Sequence, residues 1–91
     1  MKSFRWDREK NLQLQNERRV SFEQVITAME RGALLDVVSH PNPGKYSNQR
    51  LFIVRLEGYA YIVPFVETED EIFLKTIIPI RKATQKYLSG E

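Results

Sequence analysis

The sequence predicts an α+β domain: two N-terminal helices, an antiparallel meander sheet of about four strands, and a short C-terminal helix, with the helices covering one face of the sheet. Three observations favour it. Helix caps and an apolar period of about 3.6 residues occupy the first third of the chain. Runs of β-branched and aromatic residues, separated by turn residues, fill the middle. A proline then separates the last of these runs from a basic segment.

The first helix is predicted over residues 8–19. Asp7 is suited to accept backbone N–H bonds at its N-terminus, and residues 4–6 before it are expected to be a short extended segment. The basic pair Arg18 and Arg19 suits the C-terminal end, where the helix dipole favours cations.

The second helix has a stronger start signal. Ser21 followed three residues later by Gln24 is the pattern of a capping box. Gly32 is suited to a left-handed stop. Between them, one apolar face is predicted to consist of Phe22, Val25, Ile26 and Met29.

Strand patterns follow the second helix. Glu57 and Gly58 are typical of a tight turn, and residues 67–71 form an acidic turn. Pro64 indicates a strand end, an edge or a bulge, and Pro79 ends the last strand before a terminal helix. The predicted strands cover residues 34–38, 51–56, 59–66 and 72–78, with a loop over residues 40–48.

The composition predicts a single domain over residues 1–91. A length of 91 residues, 42% of them hydrophobic, is enough for one modest core. The absence of cysteine excludes disulfides, thiolate nucleophiles and cysteine-based metal sites, and it fits a cytoplasmic location. No apolar run approaches the ~20 residues of a membrane helix, so we expect neither a signal peptide nor a membrane partner.

Charge is segregated along the chain. Residues 1–19 carry six Lys and Arg against three Asp and Glu, net +3. Residues 20–74 carry four against eight, net −4, and residues 75–91 carry four against one, net +3. These sums give the formal total of +2. Two basic segments brought together by the fold would form a patch for a polyanion or an acidic partner.

The ionisable residues favour chemistry without a metal or cofactor. There is one histidine, no phosphate-binding glycine loop, and an acidic turn whose spacing is not that of a calcium loop. The remaining set of Arg, Lys, Tyr and one His suits RNA cleavage through the 2′-hydroxyl. That reaction needs a base, an acid and cations on the developing phosphorane.

Each candidate residue also has a structural interpretation. The cations suited to a phosphate are Arg50, Arg81, Lys82 and Lys86, although the more common interpretation of such residues is a solvated surface. His40 is a candidate for proton transfer or an ordinary loop residue. Tyr46 and Tyr87 are suited to stack on bases, although Tyr87 is equally suited to anchor the terminal helix.

The ordered motifs resemble a known family. The chain resembles the BrnT toxins of bacterial type II toxin–antitoxin systems over nearly its whole length, each motif being weak alone and the ordered set moderately specific. The matching motifs are Phe4-x-Trp6-Asp7-x-x-Lys10-Asn11, Val20-Ser21-Phe22-Glu23, Arg50 at the start of a strand, and Arg81-Lys82-Ala83. The resemblance implies a RelE-like fold and a ribonuclease that inhibits translation by cleaving messenger RNA, whether free or on the ribosome. It also implies a hetero-oligomer with a small DNA-binding antitoxin.

Carried over by position, the resemblance implies working roles for Lys10, Arg50 and Arg81. The chain departs from the family at Arg18, where the family often has a histidine. An arginine does not deprotonate to serve as a base, so Arg18 is assigned to RNA binding. A second departure is Pro79, within Ile78-Pro79-Ile80-Arg81, where the family has Ile-Ser-Ala-Arg.

Two hypotheses follow. In the first, a metal-independent endoribonuclease holds the scissile phosphate with Arg50 and Arg81, positions RNA with Lys10 and Lys82, and transfers protons through His40. Lys86 completes the basic surface. In the second, the same fold is a catalytically inactive module that binds RNA or a protein.

Overall fold

The computed structural model describes residues 2–42, 44, 45 and 49–88, so Tyr46 lies outside the described residues. Within that part of the chain the architecture is α+β, with three helices and a mixed sheet. None of these helices is long and apolar enough to cross a membrane. In chain order the elements are β1 (Ser3–Trp6), α1 (Arg8–Arg18), α2 (Phe22–Glu30), β2 (Leu34–Ser39), β3 (Gln49–Leu56), β4 (Tyr59–Glu67), β5 (Glu71–Leu74), β6 (Ile78–Pro79) and α3 (Arg81–Leu88).

The local signals for helix ends are confirmed. Asp7 caps α1, and its side chain accepts a hydrogen bond from the Glu9 N–H at 3.0 Å. Ser21 and Gln24 form the capping box that begins α2. Gly32 has a φ of 87°, the left-handed conformation expected of a residue that ends a helix.

The sheet contains the predicted meander but is larger and mixed. β2, β3, β4 and β5 pair in sequence order as antiparallel neighbours. β1 adds a parallel strand beside β5, and β6 pairs with β4. The expectation of about four antiparallel strands is therefore wrong in this detail. The four residues of β1 are too few for a periodic signal, and pairing with β5 makes them a strand.

Pro64 accounts for the division of the predicted strand 72–78 into two. β5 pairs with β4 from Phe65 outward, whereas β6 pairs with Tyr61 and Ile62. Pro64 lies between these two contacts and has no N–H to offer a neighbouring strand. Its carbonyl accepts a hydrogen bond from the Lys75 N–H at 2.8 Å, just after β5 ends.

Helices cover both faces of the sheet, which corrects the expectation that they share one. Residues 51–54 are buried in succession, as in a strand covered on both sides. α1 and α2 pack on the helix-pair face, which carries Phe52, Val54, Val63 and Phe65. α3 packs on the opposite side, the α3 face, which carries Ile53, Ala60 and Ile62.

Candidate functional site

A groove opens at the end of the sheet where β3 turns into β4, which we call the hairpin end. It encloses about 820 Å³ and lies between the C-terminal end of α1, α2 and the hairpin. We call it the arginine groove, because Arg18, Arg19, Arg31 and Arg55 line it. Glu23, Glu57 and Tyr61 add two carboxylates and an aromatic ring to the lining.

Three chain reversals bring these residues to one end of the molecule. Arg19 ends α1 in the left-handed conformation, with a φ of 56°. Arg31 ends α2 immediately before the left-handed Gly32. Glu57 and Gly58 have φ values of 53° and 78°, as in the tight hairpin turn expected between β3 and β4.

The groove carries an excess of positive charge. Arg18, Arg19 and Arg31 against Glu23 and Glu57 leave its lining at net +1, and Arg55 borders the groove from β3. Among the residues that the structure describes, no carboxylate lies within ion-pair distance of Arg18, Arg19 or Arg31. A guanidinium presents paired donors in a plane that matches a phosphate. The groove is therefore suited to bind a phosphate-bearing anion.

Arg18 joins the two basic segments of the sequence. Its Nη1 donates a hydrogen bond to the carbonyl of the buried Ile77 at 2.5 Å. This contact fixes the C-terminal end of α1 against the segment that leads into β6 and α3. The two basic segments of the sequence, residues 1–19 and 75–91, are in contact at this point.

A carboxylate is held in a defined orientation at the wall of the groove. The Asn11 side chain donates a hydrogen bond from Nδ2 to Glu23 Oε1 at 2.8 Å and accepts one from the Phe22 N–H at 2.8 Å. The bond from Asn11 is the main cause that lowers the pKa of Glu23. Glu23 is otherwise exposed to solvent.

Tyr61 supplies the aromatic surface of the groove. Its ring is half-buried, and the ring of Tyr59 contacts it edge to face at 5.9 Å between centroids. Tyr61 pairs with Val54 on one side and with Pro79 on the other. A tyrosine held this way is suited to stack on a base beside the arginines.

Arg50 and His40, two of the expected catalytic residues, lie at the opposite end of the sheet. We call it the acidic end, because it carries the turn over residues 67–71. Arg50 pairs in register with Ser39, and His40 follows directly. His40 Nδ1 accepts a hydrogen bond from the Asn42 N–H at 3.1 Å.

Arg50 already has an anionic partner. Its guanidinium forms an ion pair with Glu67 and lies 5.2 Å from the centre of the Phe65 ring. Lys2 contacts the same carboxylate at 2.6 Å. The Lys2 hydrogen bond, with a smaller contribution from Arg50, lowers the pKa of Glu67. A phosphate at Arg50 would have to compete with Glu67.

The expected cations of the C-terminal segment lie on α3. Arg81, Lys82 and Lys86 are exposed, and Lys86 lies 5.2 Å from the centre of the Tyr87 ring. Tyr87 donates a hydrogen bond from its hydroxyl to Asp36 Oδ2 at 2.6 Å. Tyr87 therefore anchors α3 to β2, which is the structural role that the sequence suggested beside stacking on a base.

The four expected catalytic residues do not converge. Arg50 lies on the helix-pair face, opposite Phe65, whereas Arg81 begins α3 on the other face. α3 begins beside Ala60, which pairs with Arg55 of β3. Arg55 is five residues along the strand from Arg50, a distance of about 17 Å. Lys10 is half-buried on α1. The structure brings Arg50 and His40 to one end and leaves Arg81 and Lys10 elsewhere.

Sequence reasoning named Arg18 as an RNA-binding candidate but named none of the other arginines that line the groove. Arg19, Arg31 and Arg55 are each ordinary in sequence, since each flanks a helix end or a turn where a charged residue is common. Tyr61 lies within the predicted strand 59–66, where its neighbours are mostly apolar and nothing marks it as a site residue. The common signal was their position next to predicted chain reversals.

Comparison with known proteins provides no relative: no family model, no curated protein and no solved structure matches this chain. The resemblance to BrnT toxins therefore rests on the ordered motifs alone.

Proposed function

We propose that this chain is a metal-independent endoribonuclease toxin of the BrnT kind and that it holds RNA in the arginine groove. The observation that carries the proposal is the set of guanidinium groups around Glu23 and Tyr61 at the hairpin end. Arginines suit the phosphates, the tyrosine suits a base, and the carboxylate suits a 2′-hydroxyl.

The proposed reaction is an attack of the RNA on itself. Glu23 accepts the proton of the 2′-hydroxyl, and the 2′-oxygen of the RNA forms a bond to the adjacent phosphorus. The bond from phosphorus to the 5′-oxygen breaks, and that oxygen takes a proton from the Tyr61 hydroxyl or from water. Arg19 and Arg31 stabilise the charge that develops on the phosphorane. The products carry a 2′,3′-cyclic phosphate and a 5′-hydroxyl.

A second candidate function is an RNA-binding module of the same fold that does not cleave. Two observations favour it. The lowered pKa of Glu23 makes its carboxylate a weaker base than an ordinary glutamate. His40, the candidate for proton transfer named from the sequence, lies at the acidic end, away from the groove.

The experiment is induction of the chain alone in a bacterial host, with growth and the integrity of total RNA as readouts. We expect wild type to arrest growth and fragment RNA. The double variant Arg19→Gln with Arg31→Gln is expected to relieve both effects, because two phosphate contacts are lost. The variant Arg50→Gln is measured beside the groove variant, because the resemblance to BrnT toxins implies that Arg50 is a site residue. Fragmentation lost in Arg50→Gln and retained in the groove variant would contradict the assignment to the groove.

Glu23→Gln separates the two candidate functions. Glutamine keeps an oxygen that accepts the Asn11 hydrogen bond but cannot serve as the base. If Glu23 is the base, purified Glu23→Gln should cleave roughly 10²–10⁴-fold more slowly and still bind RNA. Binding by wild type with no cleavage products would favour the inactive module.

The resemblance also implies neutralisation by a small DNA-binding antitoxin in a hetero-oligomer. Co-expression of such a partner, encoded beside this gene, is expected to restore growth. A growth arrest that no neighbouring gene relieves would argue against the toxin–antitoxin assignment while leaving RNA binding open to test.

A further inference from the structure

α3 presents a row of cations on its solvent side. Arg81, Lys82 and Lys86 are exposed, whereas Ala83 and Leu88 are buried against the sheet. We call the three cations the α3 stripe. Among the described residues, neither Arg81 nor Lys82 has an ion-pair partner. The stripe therefore has charge available for a ligand.

The α3 stripe begins beside the arginine groove. Tyr61 lines the groove and pairs in register with Pro79 of β6, two residues before Arg81. The backbone continues this contact, since the Ile80 N–H donates to the Ala60 carbonyl at 3.1 Å. The first turn of α3 thus lies at the hairpin end of the sheet.

Arg55 connects the groove with the stripe. It borders the groove and pairs in register with Ala60, where α3 is attached. It alternates with Val54 and Leu56, which belong to the core beneath the helix pair. The Arg55 side chain therefore leaves the sheet on the α3 face.

We propose that the arginine groove and the α3 stripe form one continuous cationic track that binds single-stranded RNA around the hairpin end. The inference rests on the proposed function and extends it to the class of RNA. The track passes from the helix-pair face to the α3 face, so its ligand must bend sharply. A duplex is stiff, with a persistence length of about 150 base pairs for DNA, whereas a single strand follows such a path readily.

The acidic end directs a polyanion toward this track. There, Lys2 and Arg50 share the carboxylate of Glu67, and the turn over residues 67–71 carries four acidic residues. RNA approaching the acidic end is repelled, while the hairpin end attracts it. RNA is thus expected to reach the track from the hairpin end.

The test measures binding of fluorescent 2′-O-methyl oligoribonucleotides, which lack the 2′-hydroxyl needed for cleavage. Affinity is measured against salt concentration and oligonucleotide length. The variant Arg81→Gln with Lys82→Gln removes two charges from the stripe. Its control is Arg8→Gln with Lys45→Gln, which removes two exposed charges outside the track.

We expect the stripe variant to reduce the salt slope by about 1.4, which is about 0.7 for each lost phosphate contact. The stripe variant should bind the shortest oligonucleotides with the affinity of wild type. Its affinity should not rise with oligonucleotide length as that of wild type does. The control should keep the slope and length dependence of wild type. A duplex of the same sequence should bind more weakly than the single strand.

Three results would overturn the inference. If the stripe variant kept the salt slope and the length dependence of wild type, the bound RNA would not extend beyond the groove. The proposed function would still stand if the variant Arg19→Gln with Arg31→Gln lost binding. Equal affinity for the duplex would exclude selection of single strands. No binding of any oligonucleotide by wild type at low salt would overturn both the track and the proposed function.

Discussion

The Asn11 side chain joins α1 to α2 by hydrogen bonds and orients Glu23. It is buried, with 6% of its surface exposed, and both of its polar atoms are used. Its oxygen satisfies the Phe22 N–H at the start of α2, and its nitrogen holds the Glu23 carboxylate. The structure of the helix pair and the geometry of the proposed base therefore depend on the same side chain.

Asn11→Ala should be clearly destabilising. It leaves the buried Phe22 N–H without its acceptor, which costs about 1–3 kcal/mol. Urea unfolding measures the change, and Asn16→Ala on the exposed side of α1 is the control, with an expected effect within about 0.5 kcal/mol. Equal stability of the two variants would show that the Asn11 hydrogen bonds contribute nothing.

α3 is the element whose attachment sets the position of the α3 stripe. Near its start, Thr84 Oγ1 accepts a hydrogen bond from the Ala60 N–H at 2.9 Å and donates one to the Ile80 carbonyl at 3.0 Å. Near its end, Tyr87 binds Asp36 of β2. The helix is thus fastened to β4 at one end and to β2 at the other.

The Tyr87–Asp36 bond predicts a pH dependence of stability. It raises the pKa of Tyr87 and lowers that of Asp36. Its contribution is therefore complete between the ordinary values of aspartate and tyrosine, about 3.9 and about 10. It is lost as pH falls through the lowered pKa of Asp36 and as pH rises through the raised pKa of Tyr87.

Tyr87→Phe should accordingly be less stable than wild type by a constant amount from about pH 5 to about pH 9, and by less outside that range. Thermal unfolding across pH measures the difference. Tyr59→Phe is the control, since among the described residues the Tyr59 hydroxyl has no hydrogen-bond partner. A difference that does not change at either extreme would contradict the bond.

At the scale of the whole molecule, the fold separates charge between the two ends of its sheet. The hairpin end gathers arginines from α1, α2 and β3, and α3 begins beside them. At the acidic end, Lys2 and Arg50 pair with Glu67. A chain of formal charge +2 thus has one surface suited to a polyanion and one that opposes it.

The sequence predicts the local features of this fold better than the site. Asp7, Ser21 with Gln24, and Gly32 act on neighbouring residues, so their patterns indicate helix ends reliably. β1 pairs in parallel with β5, which is distant in the sequence, so no local sequence pattern indicates this pairing. Arg31 and Arg55 come from the acidic middle of the chain, where summing charge over a long segment hides them.

The central claim is that RNA occupies the arginine groove. The most direct test is NMR: titration of the ¹⁵N-labelled chain with a single-stranded 2′-O-methyl oligonucleotide, following each backbone amide. The account predicts that the shifts concentrate at residues 18–20, 31–33 and 55–61, with residues 39–42, 49–51 and 67–71 unchanged. Shifts centred on His40, Arg50 and the acidic turn, with a silent groove, would contradict it.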